Sequence, residues 1–469
     1  MSSDRQRTEN FREHLGNLTE KGKRIWLYPK IIKGKWYKYR NYLSYVLLIL
    51  LFSGPFIRIN GKPLLLLNII ERKFIIFGSP FWPQDFYIFA FGLVTAILFV
   101  VLFTVIFGRV WCGWACPQTI FMEMVFRKIE NWIEGNSTQQ RKLDAMPWNR
   151  EKILKKGSKH LIFYAISFLI SNIFLAYIIG SDALIEIITG PVSEHIVGLF
   201  SILIFSFVFY LVFAKLRELV CIMICPYGRL QGVMLDPNSV VVAYDYKRGE
   251  PRGKIKKNED QDHKGDCVDC NLCVDVCPTG IDIRNGTQLE CINCTACIDA
   301  CNPVMQKIGK PEGLIRFDSV KNIEKGTGFK WTTRMIGYSV VLFILTLTMG
   351  YILASRTDID ASVLRAPGSN FTKDQSGFVT NIYNLELVNK TFDKLAYRLD
   401  VGTEGVDMIF VDHDTIVPEG EIVKKVFMLR MQQEDIKQNN TKVKLTLYTN
   451  GKRNKEFETS FLGPMAIKK

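Results

Sequence analysis

The chain has 469 residues, of which 48% are apolar and 23% charged, and its formal net charge is +14. This length gives room for two or three domains, and so mixed a composition predicts one very apolar part and one very polar part. The excess of positive charge suits nucleic acid, an anionic membrane surface or an acidic protein. Because basic residues cluster beside apolar runs and no nucleic-acid-binding motif occurs, the pattern favours membrane lipid and argues against nucleic acid.

The first 41 residues form a basic segment, in which residues 1–40 hold eleven Lys or Arg against four Asp or Glu. Five apolar runs follow that are long enough, or nearly so, to cross a bilayer, which takes about 20 residues of helix. The first is the weakest, because Pro55 and Arg58 interrupt its end. These runs predict a five-helix transmembrane bundle. Four of the spans lie within 42–225, near 42–59, 86–107, 161–179 and 196–214, and the fifth lies near 336–354.

The connections between the apolar runs differ in positive charge. Residues 108–160 carry ten Lys or Arg, residues 60–85 carry three, and residues 180–195 carry none. Cytoplasmic connections of membrane proteins are enriched in Lys and Arg. We therefore expect a multi-pass inner-membrane protein, with the N-terminal segment, 108–160 and 215–334 in the cytoplasm. With five spans, the C-terminal tail then lies in the periplasm.

One cysteine pair follows the second span and another follows the fourth. Both have the spacing C-x-x-x-C-P, and the four cysteines are Cys112, Cys116, Cys221 and Cys225. On a helix each pair would share one face, and the repetition predicts two related halves with the pairs side by side. Four convergent thiolates would form a soft site suited to Cu(I) or another thiophilic metal. A dithiol–disulfide relay and buried apolar cysteines are the alternatives.

Eight further cysteines have the spacing of a bacterial two-cluster ferredoxin, in a predicted cytoplasmic region at 226–334. In such runs three cysteines hold one [4Fe–4S] cluster, and the fourth reaches across to the other cluster. Structural zinc sites instead use pairs of Cys-x2-Cys motifs. We predict a ferredoxin-type α+β domain near 258–310 with two clusters. One is held by Cys267, Cys270, Cys273 and Cys301, and the other by Cys291, Cys294, Cys297 and Cys277.

The tail contains several β-rich or alternating segments separated by polar turns, which is typical of strands. The clearest are 378–388, 395–401, 421–430 and 442–449. They predict a β-sandwich of about 100 residues over 370–469. The tail has no cysteine, whereas all twelve lie on segments predicted to be cytoplasmic. Thiols and iron–sulfur centres belong in a reducing compartment, so cysteine placement supports the same topology.

This layout resembles the cytochrome c oxidase accessory proteins known as CcoG, FixG or RdxA. The phrases PFWPQDF at 80–86, GRVWCGWACPQT at 108–119 and CPYGRLQ at 225–231 are similar to that family, and the likeness covers nearly the whole chain. The resemblance implies that the protein supports assembly of cbb-type oxidases by reducing Cu(II) to Cu(I). It also implies an immunoglobulin-like exported domain, and it makes Cys112, Cys116, Cys221 and Cys225 the candidate catalytic and copper-binding residues.

The expected partners are membrane lipid, oxidase assembly factors or a copper chaperone or transporter, and a cytoplasmic electron donor that the sequence does not name. Whether the chain forms a homodimer is left open. Two other functions fit the same cysteines. One is a quinol dehydrogenase subunit, because the iron–sulfur subunits of nitrate-reductase chains share C-x-x-x-C-P pairs, although the long exported domain argues against it. The other is a non-catalytic scaffold for oxidase assembly.

Overall fold

The structure is a computed structural model that describes residues 24–59, 61–68, 73–76, 79–81, 86–254, 264–327, 331–355, 359–367, 371–374, 377–391, 393–412, 415–436 and 438–464. Parts of the predicted regions therefore lie outside the described residues, namely 1–23, 82–85, 258–263 and 465–469. The chain divides into two compact units. The first comprises Met1–Asn68 and Ala90–Leu347, and the second comprises Ile69–Phe89 and Thr348–Lys469.

Four helices in the described part of the chain are long and apolar enough to cross a membrane. They are Tyr87–Phe107, Arg150–Ile179, Ile196–Leu216 and Thr333–Ala354, and they coincide with the second to fifth predicted spans. The third span extends further than predicted, because Asn149 caps the helix by accepting a hydrogen bond from the Lys152 N–H at 2.8 Å.

The first predicted span, 42–59, differs from the structure. Its helix runs from Lys35 to Ser53 and is not among the four membrane-length apolar helices. Two physical causes shorten its apolar part. The first turns carry Lys38 and Arg40, and the helix ends at Ser53, just before Pro55, which has no N–H to continue the helical hydrogen bonds. A span count of five remains a prediction.

The other elements of the first unit are short and join the long helices. Two-residue strands Arg58–Ile59 and Lys62–Pro63 form a hairpin, and strand Leu65–Asn68 follows them. The short helices are Val110–Trp114, Pro117–Thr119, Arg127–Glu134, Ser137–Ala145, Ser181–Thr189, Pro226–Met234, Tyr246–Gly249, Leu272–Asp275, Ala296–Lys307 and Val320–Lys325. Wider π-helical turns occupy Ile120–Phe126, Val212–Leu216 and Val220–Ile224, and 3₁₀ turns occupy Val192–Glu194 and Ile283–Asn285.

Aromatic side chains form the core between the long helices of the first unit. Phe126 stacks on Phe213 with ring centroids 4.7 Å apart, and Phe163 meets Phe126 edge-on at 4.9 Å. All three are buried. Offset-stacked and edge-on pairs are the favoured aromatic arrangements, so this core fixes the helix ends next to the first cysteine pair.

The eight ferredoxin-type cysteines sit in a small α+β fold of the first unit. Strand Val241–Tyr244 pairs antiparallel with Ile315–Asp318, and helix Ala296–Lys307 packs against the second strand. The fold therefore extends beyond the predicted 258–310 at both ends. The two strands escaped prediction because each is only four residues long: Val241–Tyr244 is buried throughout and shows no alternation, and Ile315–Asp318 alternates over too few residues to be distinctive.

The second unit contains a short hairpin and a two-sheet β-fold. The hairpin pairs Lys73–Ile76 with Ser79–Phe81. One sheet has the strand order Val406–Phe410, Ile422–Gln432, Phe378–Asn389 and Ile359–Arg365, with Thr372–Lys373 pairing on the third strand. The other has the order Ile416–Val417, Leu395–Val401, Asn440–Thr449 and Lys452–Leu462, and a 3₁₀ turn lies at Gln433–Asp435. The four strands predicted from alternation are all present.

The two sheets enclose one apolar core and are also joined by hydrogen bonds. Tyr383 and Phe427 stack inside the core at 5.4 Å, and both are fully buried. Buried Asn381 binds the backbone of Leu462 on the opposite sheet, donating to its oxygen at 2.8 Å and accepting from its N–H at 3.1 Å. This one side chain therefore fixes the register of the last strand against the first sheet.

We predict that Asn381→Ala destabilises the β-fold by about 2 kcal/mol, because two backbone groups of Leu462 lose their partner. Asn384→Ala is the matched control, since Asn384 lies on the same strand with an exposed side chain. Calorimetry of the full chain should show a lower unfolding midpoint for Asn381→Ala alone. Equal midpoints for the two variants would contradict this role.

Candidate functional site

The eight ferredoxin-type cysteines surround two separate cavities. The cavity that we call the first is lined by Cys267, Cys270, Cys273 and Cys301, together with Tyr244 and Arg284. The second cavity is lined by Cys277, Cys291, Cys294 and Cys297, and Cys273 also reaches it. Each cavity is otherwise mainly apolar, and four thiols around a small dry space are the donor set of a [4Fe–4S] cluster.

The same backbone conformation wraps the chain around both cavities. Asp269 and Asn271 have φ of 51° and 57°, and Asn293 and Thr295 occupy the matching positions with φ of 52° and 64°. Asp and Asn tolerate this left-handed region, but a β-branched residue such as Thr295 is strained in it. The cysteine spacing therefore imposes one loop shape twice, even where the residue does not favour it.

The two C-x-x-x-C-P pairs also share one backbone design. The N–H of Cys116 bonds to the Trp111 carbonyl at 3.0 Å, and that of Cys225 to the Val220 carbonyl at 2.8 Å. Each second cysteine is then extended, and the following proline begins a new helix. The backbone across each pair is therefore not one continuous helix. The reason is that proline disfavours helical backbone in the residue before it and suits a helix start, where no N–H is needed.

The four thiols of the two pairs lie close to one another. Burial raises the pKa of Cys221 to about 12, and the neighbouring thiolates of Cys116, Cys112 and Cys225 raise it further. Burial also raises the pKa of Cys112, against the guanidinium of Arg109, which lowers it. Within the described ranges, no three His, Cys, Asp or Glu side chains are spaced to bind a single metal ion. We call these four cysteines the four-thiol group.

A buried amide holds the first thiol of this group. Cys112 donates to the side-chain oxygen of Gln231 at 2.9 Å, while the Gln231 amide donates to Thr104 and Tyr227, each at 2.9 Å. Gln231 is fully buried, so this network fixes the direction of the thiol. In the sequence this glutamine is visible only as the last residue of CPYGRLQ, with no signal that indicates a role.

The first cysteine pair contacts the loop that carries two thiols of the second cavity. A Cβ added to Gly113 would overlap the carbonyl oxygen of Ile292 and lie 3.0 Å from the Cα of Cys294. Cys112 packs in one apolar cluster with Ile292 and Cys294. The Trp114 indole also donates to the Asn293 carbonyl at 3.2 Å. The four-thiol group and the second cavity are therefore direct neighbours, with backbone touching backbone.

A buried arginine lies beside the same contact. Arg109 is 3% exposed, donates to the Leu289 carbonyl, and lies near Gly228, where an added Cβ would come within 2.7 Å of its guanidinium. Gly228 follows Cys225-Pro226-Tyr227, so the glycine of CPYGRLQ leaves room for this side chain. In the sequence Arg109 is visible only as one of the ten basic residues of the segment 108–160.

A buried ion pair anchors the chain before the second cysteine pair. Both Arg217 guanidinium nitrogens donate to Glu130, at 3.0 and 2.6 Å, and the guanidinium stacks on the Trp26 ring at 4.4 Å. Arg217 has φ of 51°, an unfavourable conformation that the pair helps to maintain. Burial raises the pKa of Glu130, but Arg217 and the nearby Lys159 outweigh it, and the net pKa falls to about 2.

Comparison with known proteins identifies the family. Three family models match: a 4Fe-4S binding domain at 89–136, a 4Fe-4S dicluster domain at 216–320, and the immunoglobulin-like fold at the C-terminus of FixG at 349–464. The chain is 33% identical to protein RdxB of Cereibacter sphaeroides over 398 residues, which is 81% of this chain and 83% of RdxB. The chain belongs to the FixG family. The predicted iron–sulfur class and the immunoglobulin-like fold of the C-terminal domain are thereby confirmed.

Another relative of this FixG-family chain agrees in extent. The chain is 33% identical to nitrogen fixation protein FixG of Rhizobium meliloti over 425 residues, covering 81% of the chain and 80% of that protein. The crystal structure of a FixG-related protein from Vibrio parahaemolyticus matches 23% of the chain and 97% of its own length, with 22% identity and a TM-score of 0.19.

We predict that Gly113→Ala destabilises the first unit by about 1–3 kcal/mol, because the new methyl group meets backbone that must move. Gly157→Ala is the matched control. Gly157 lies in helix Arg150–Ile179 with nothing within 4 Å of an added Cβ, so alanine there should stabilise by about 0.5–1 kcal/mol. Thermal unfolding of the full chain should show shifts of opposite sign. A shift of the same sign in both variants would contradict the contact.

We also predict a pH-dependent cost for Glu130→Gln. The pKa of Glu130 lies below its ordinary 4.5, so its stabilisation is present above pH 4.5 and is lost as pH falls toward 2. Breaking the buried pair should cost about 3 kcal/mol at pH 7, and this difference from the parent protein should shrink below pH 4.5.

Urea unfolding at pH 7 and pH 3.5 tests this pH dependence. Glu151→Gln is the control, because Glu151 pairs with Lys155 on an exposed helix surface and such a pair contributes about 0.5 kcal/mol or less. A cost for Glu130→Gln that stays constant between the two pH values would show that packing, and not charge, is what the substitution removes.

Proposed function

We propose that this FixG-family protein is a membrane-bound electron-transfer protein that reduces Cu(II) to Cu(I) at the four-thiol group and so assists assembly of a cbb-type cytochrome oxidase. The observation that carries the proposal is the backbone contact between Gly113 and the Ile292–Cys294 loop. It joins the two chemistries of the chain, since an iron–sulfur site and a soft thiol site share this contact.

The proposed cluster ligands follow the two cavities. Cys267, Cys270, Cys273 and Cys301 would hold one [4Fe–4S] cluster, and Cys277, Cys291, Cys294 and Cys297 the other. When bound, such clusters supply one-electron chemistry at low potential. The protein contributes the mainly apolar lining of each cavity and the repeated left-handed loop residues that bend the chain around it.

The four-thiol group is the proposed copper site. Thiolates are soft ligands that favour Cu(I) over harder ions, so binding itself would favour the reduced metal. The reaction balances with one electron per copper, which converts Cu(II) to Cu(I) and transfers no atom. Two neighbouring side chains assist this site: Gln231 orients the Cys112 thiol, and the charge of Arg109 stabilises its thiolate form.

The proposal places the chain in the inner membrane, with the iron–sulfur fold in the cytoplasm and the immunoglobulin-like domain in the periplasm. The charge distribution of the connections supports this orientation, as does the confinement of all twelve cysteines to residues 112–301. The partners under this proposal are a cytoplasmic electron donor and the oxidase assembly or copper-delivery factors that receive Cu(I).

We predict that replacing all four cysteines of the four-thiol group with serine abolishes Cu(II) reduction and leaves iron content unchanged, because the cluster thiols are separate residues. The assay is Cu(I) formation by anaerobically reduced full-length protein, followed with a Cu(I)-specific chelator. Met223→Leu is the matched control, since it removes an exposed sulfur between Cys221 and Cys225 but no thiol. Full activity in the four-serine variant would refute the proposal and leave a scaffold role.

A further inference from the structure

The second cavity has an uncompensated positive charge next to it. Arg40, on the first helix, is 5% exposed and donates to the carbonyl of Cys294 at 2.8 Å. Its Nε has no hydrogen-bond partner, and it forms no ion pair with any carboxylate in the described part of the chain. A buried guanidinium without a carboxylate is costly, so its charge calls for another negative partner.

Arg109 is a second buried arginine beside the second cavity. Its guanidinium donates to the carbonyl of Leu289, two residues before Cys291, and its Nε likewise lacks a hydrogen-bond partner among the described residues. The same guanidinium lies within 2.7 Å of where a Cβ would stand at Gly228, three residues after Cys225, so it also lies beside the four-thiol group. Arg109 therefore acts electrostatically on both the second cavity and the four-thiol group.

Other charged groups near the second cavity nearly cancel. Arg127 pairs with Glu123 at 3.1 Å, and Asp299 accepts the backbone N–H groups of Trp36 and Tyr37 at 3.2 and 2.7 Å. Lys30, on the same side as Cys294, pairs with Asp275 at 2.6 Å. Arg40, Arg109, Arg127 and Lys30 against Glu123, Asp299 and Asp275 give a net charge of +1 beside the Cys294 end of this cavity.

The charged groups around the first cavity cancel and are all paired. Arg284 is bound by Asp269 and Asp282, Arg248 and Lys310 are both bound by Asp266, and Glu250 accepts from the Tyr244 hydroxyl. Arg252 in turn pairs with Glu250 at 3.8 Å, so four cations against four carboxylates leave no net charge. Every one of these cations has a carboxylate partner, in contrast to Arg40 and Arg109.

We propose that Arg40 and Arg109 make the cluster held at the second cavity the one with the higher reduction potential. Reduction adds a negative charge to a cluster, and nearby positive charge favours it. Exposure of Cys270 acts the other way, because water at the first cavity also stabilises added charge. The arginine charges are 5% exposed or less, and charges buried in a low dielectric interact much more strongly than exposed ones, so their effect is the larger.

This asymmetry gives the electron a direction. The step transfers one electron from the first cavity's cluster to the second cavity's cluster, so the first is oxidised, the second is reduced, and no bond changes. The second cavity is the one that touches the four-thiol group through Gly113. The inference therefore deepens the proposed function, on which it rests for the final acceptor, by assigning the order of the two clusters.

The test is a redox titration of the full-length protein, followed by electron paramagnetic resonance without copper. The parent protein should show two one-electron waves. Arg40→Gln and Arg109→Gln should each lower the higher wave at least tenfold in equilibrium constant, which is about 59 mV, and leave the lower wave in place. Arg40→Lys and Arg109→Lys keep the charge and should shift it less than twofold, about 18 mV.

Arg316→Gln is the control, because Asp245 and Asp318 already neutralise that guanidinium at 2.8 and 3.0 Å, and neither wave should move. If Arg40→Gln fails to retain iron, the shift of the higher wave in Arg109→Gln alone tests the inference. Movement of the lower wave, or of neither wave, in a variant that retains its iron would overturn the inference. The titration contains no copper, so its result does not depend on whether the protein reduces Cu(II). A failure of this inference is therefore distinguishable from a failure of the proposed function.

Discussion

The close approach of two backbones, at Gly113 and at the Ile292–Cys294 loop, is the constraint on which the rest of the first unit depends. It requires a residue without a side chain between the two cysteines of the first pair, and it brings that pair against two thiols of the second cavity. The proline after each second cysteine starts a new helix at that point. A continuous helix would instead have carried the chain past the iron–sulfur fold, so the break in the helix creates the contact.

Buried charge around this contact has two different purposes. Glu130 and Arg217 satisfy each other, and their pair holds the strained backbone that leads into the second cysteine pair. Arg40 and Arg109 have no carboxylate partner among the described residues. Unpaired buried charges are expensive, and the thiolate-ligated clusters proposed at the adjacent cavities are anionic. The clusters would therefore supply the counter-charge that the protein omits, so cluster binding and folding of this region should be coupled.

Local patterns carried most of what the sequence predicted. The alternation of 378–388 and 442–449 gave strands within two residues of Phe378–Asn389 and Asn440–Thr449, and the cysteine spacing pointed to two groups because ligand spacing is local. The family resemblance is confirmed by the matched relatives. The polar contacts escaped prediction because they join distant residues: Arg40 meets Cys294 across 254 positions, and Cys112 meets Gln231 across 119. The helix that replaces the first predicted span begins at Lys35, since charge in its first turns lowers apolarity without preventing helix formation.

The central claim is that electrons held at the iron–sulfur fold reach a metal at the four-thiol group. Freeze-quench electron paramagnetic resonance tests it most directly, with fully reduced protein, freed of excess reductant, mixed with Cu(II). The account predicts that the signals of reduced clusters and of Cu(II) disappear together, with one electron lost per copper, and that both persist in the four-serine variant. Clusters that stay reduced in the parent protein, or that are oxidised equally fast in the variant, would contradict it.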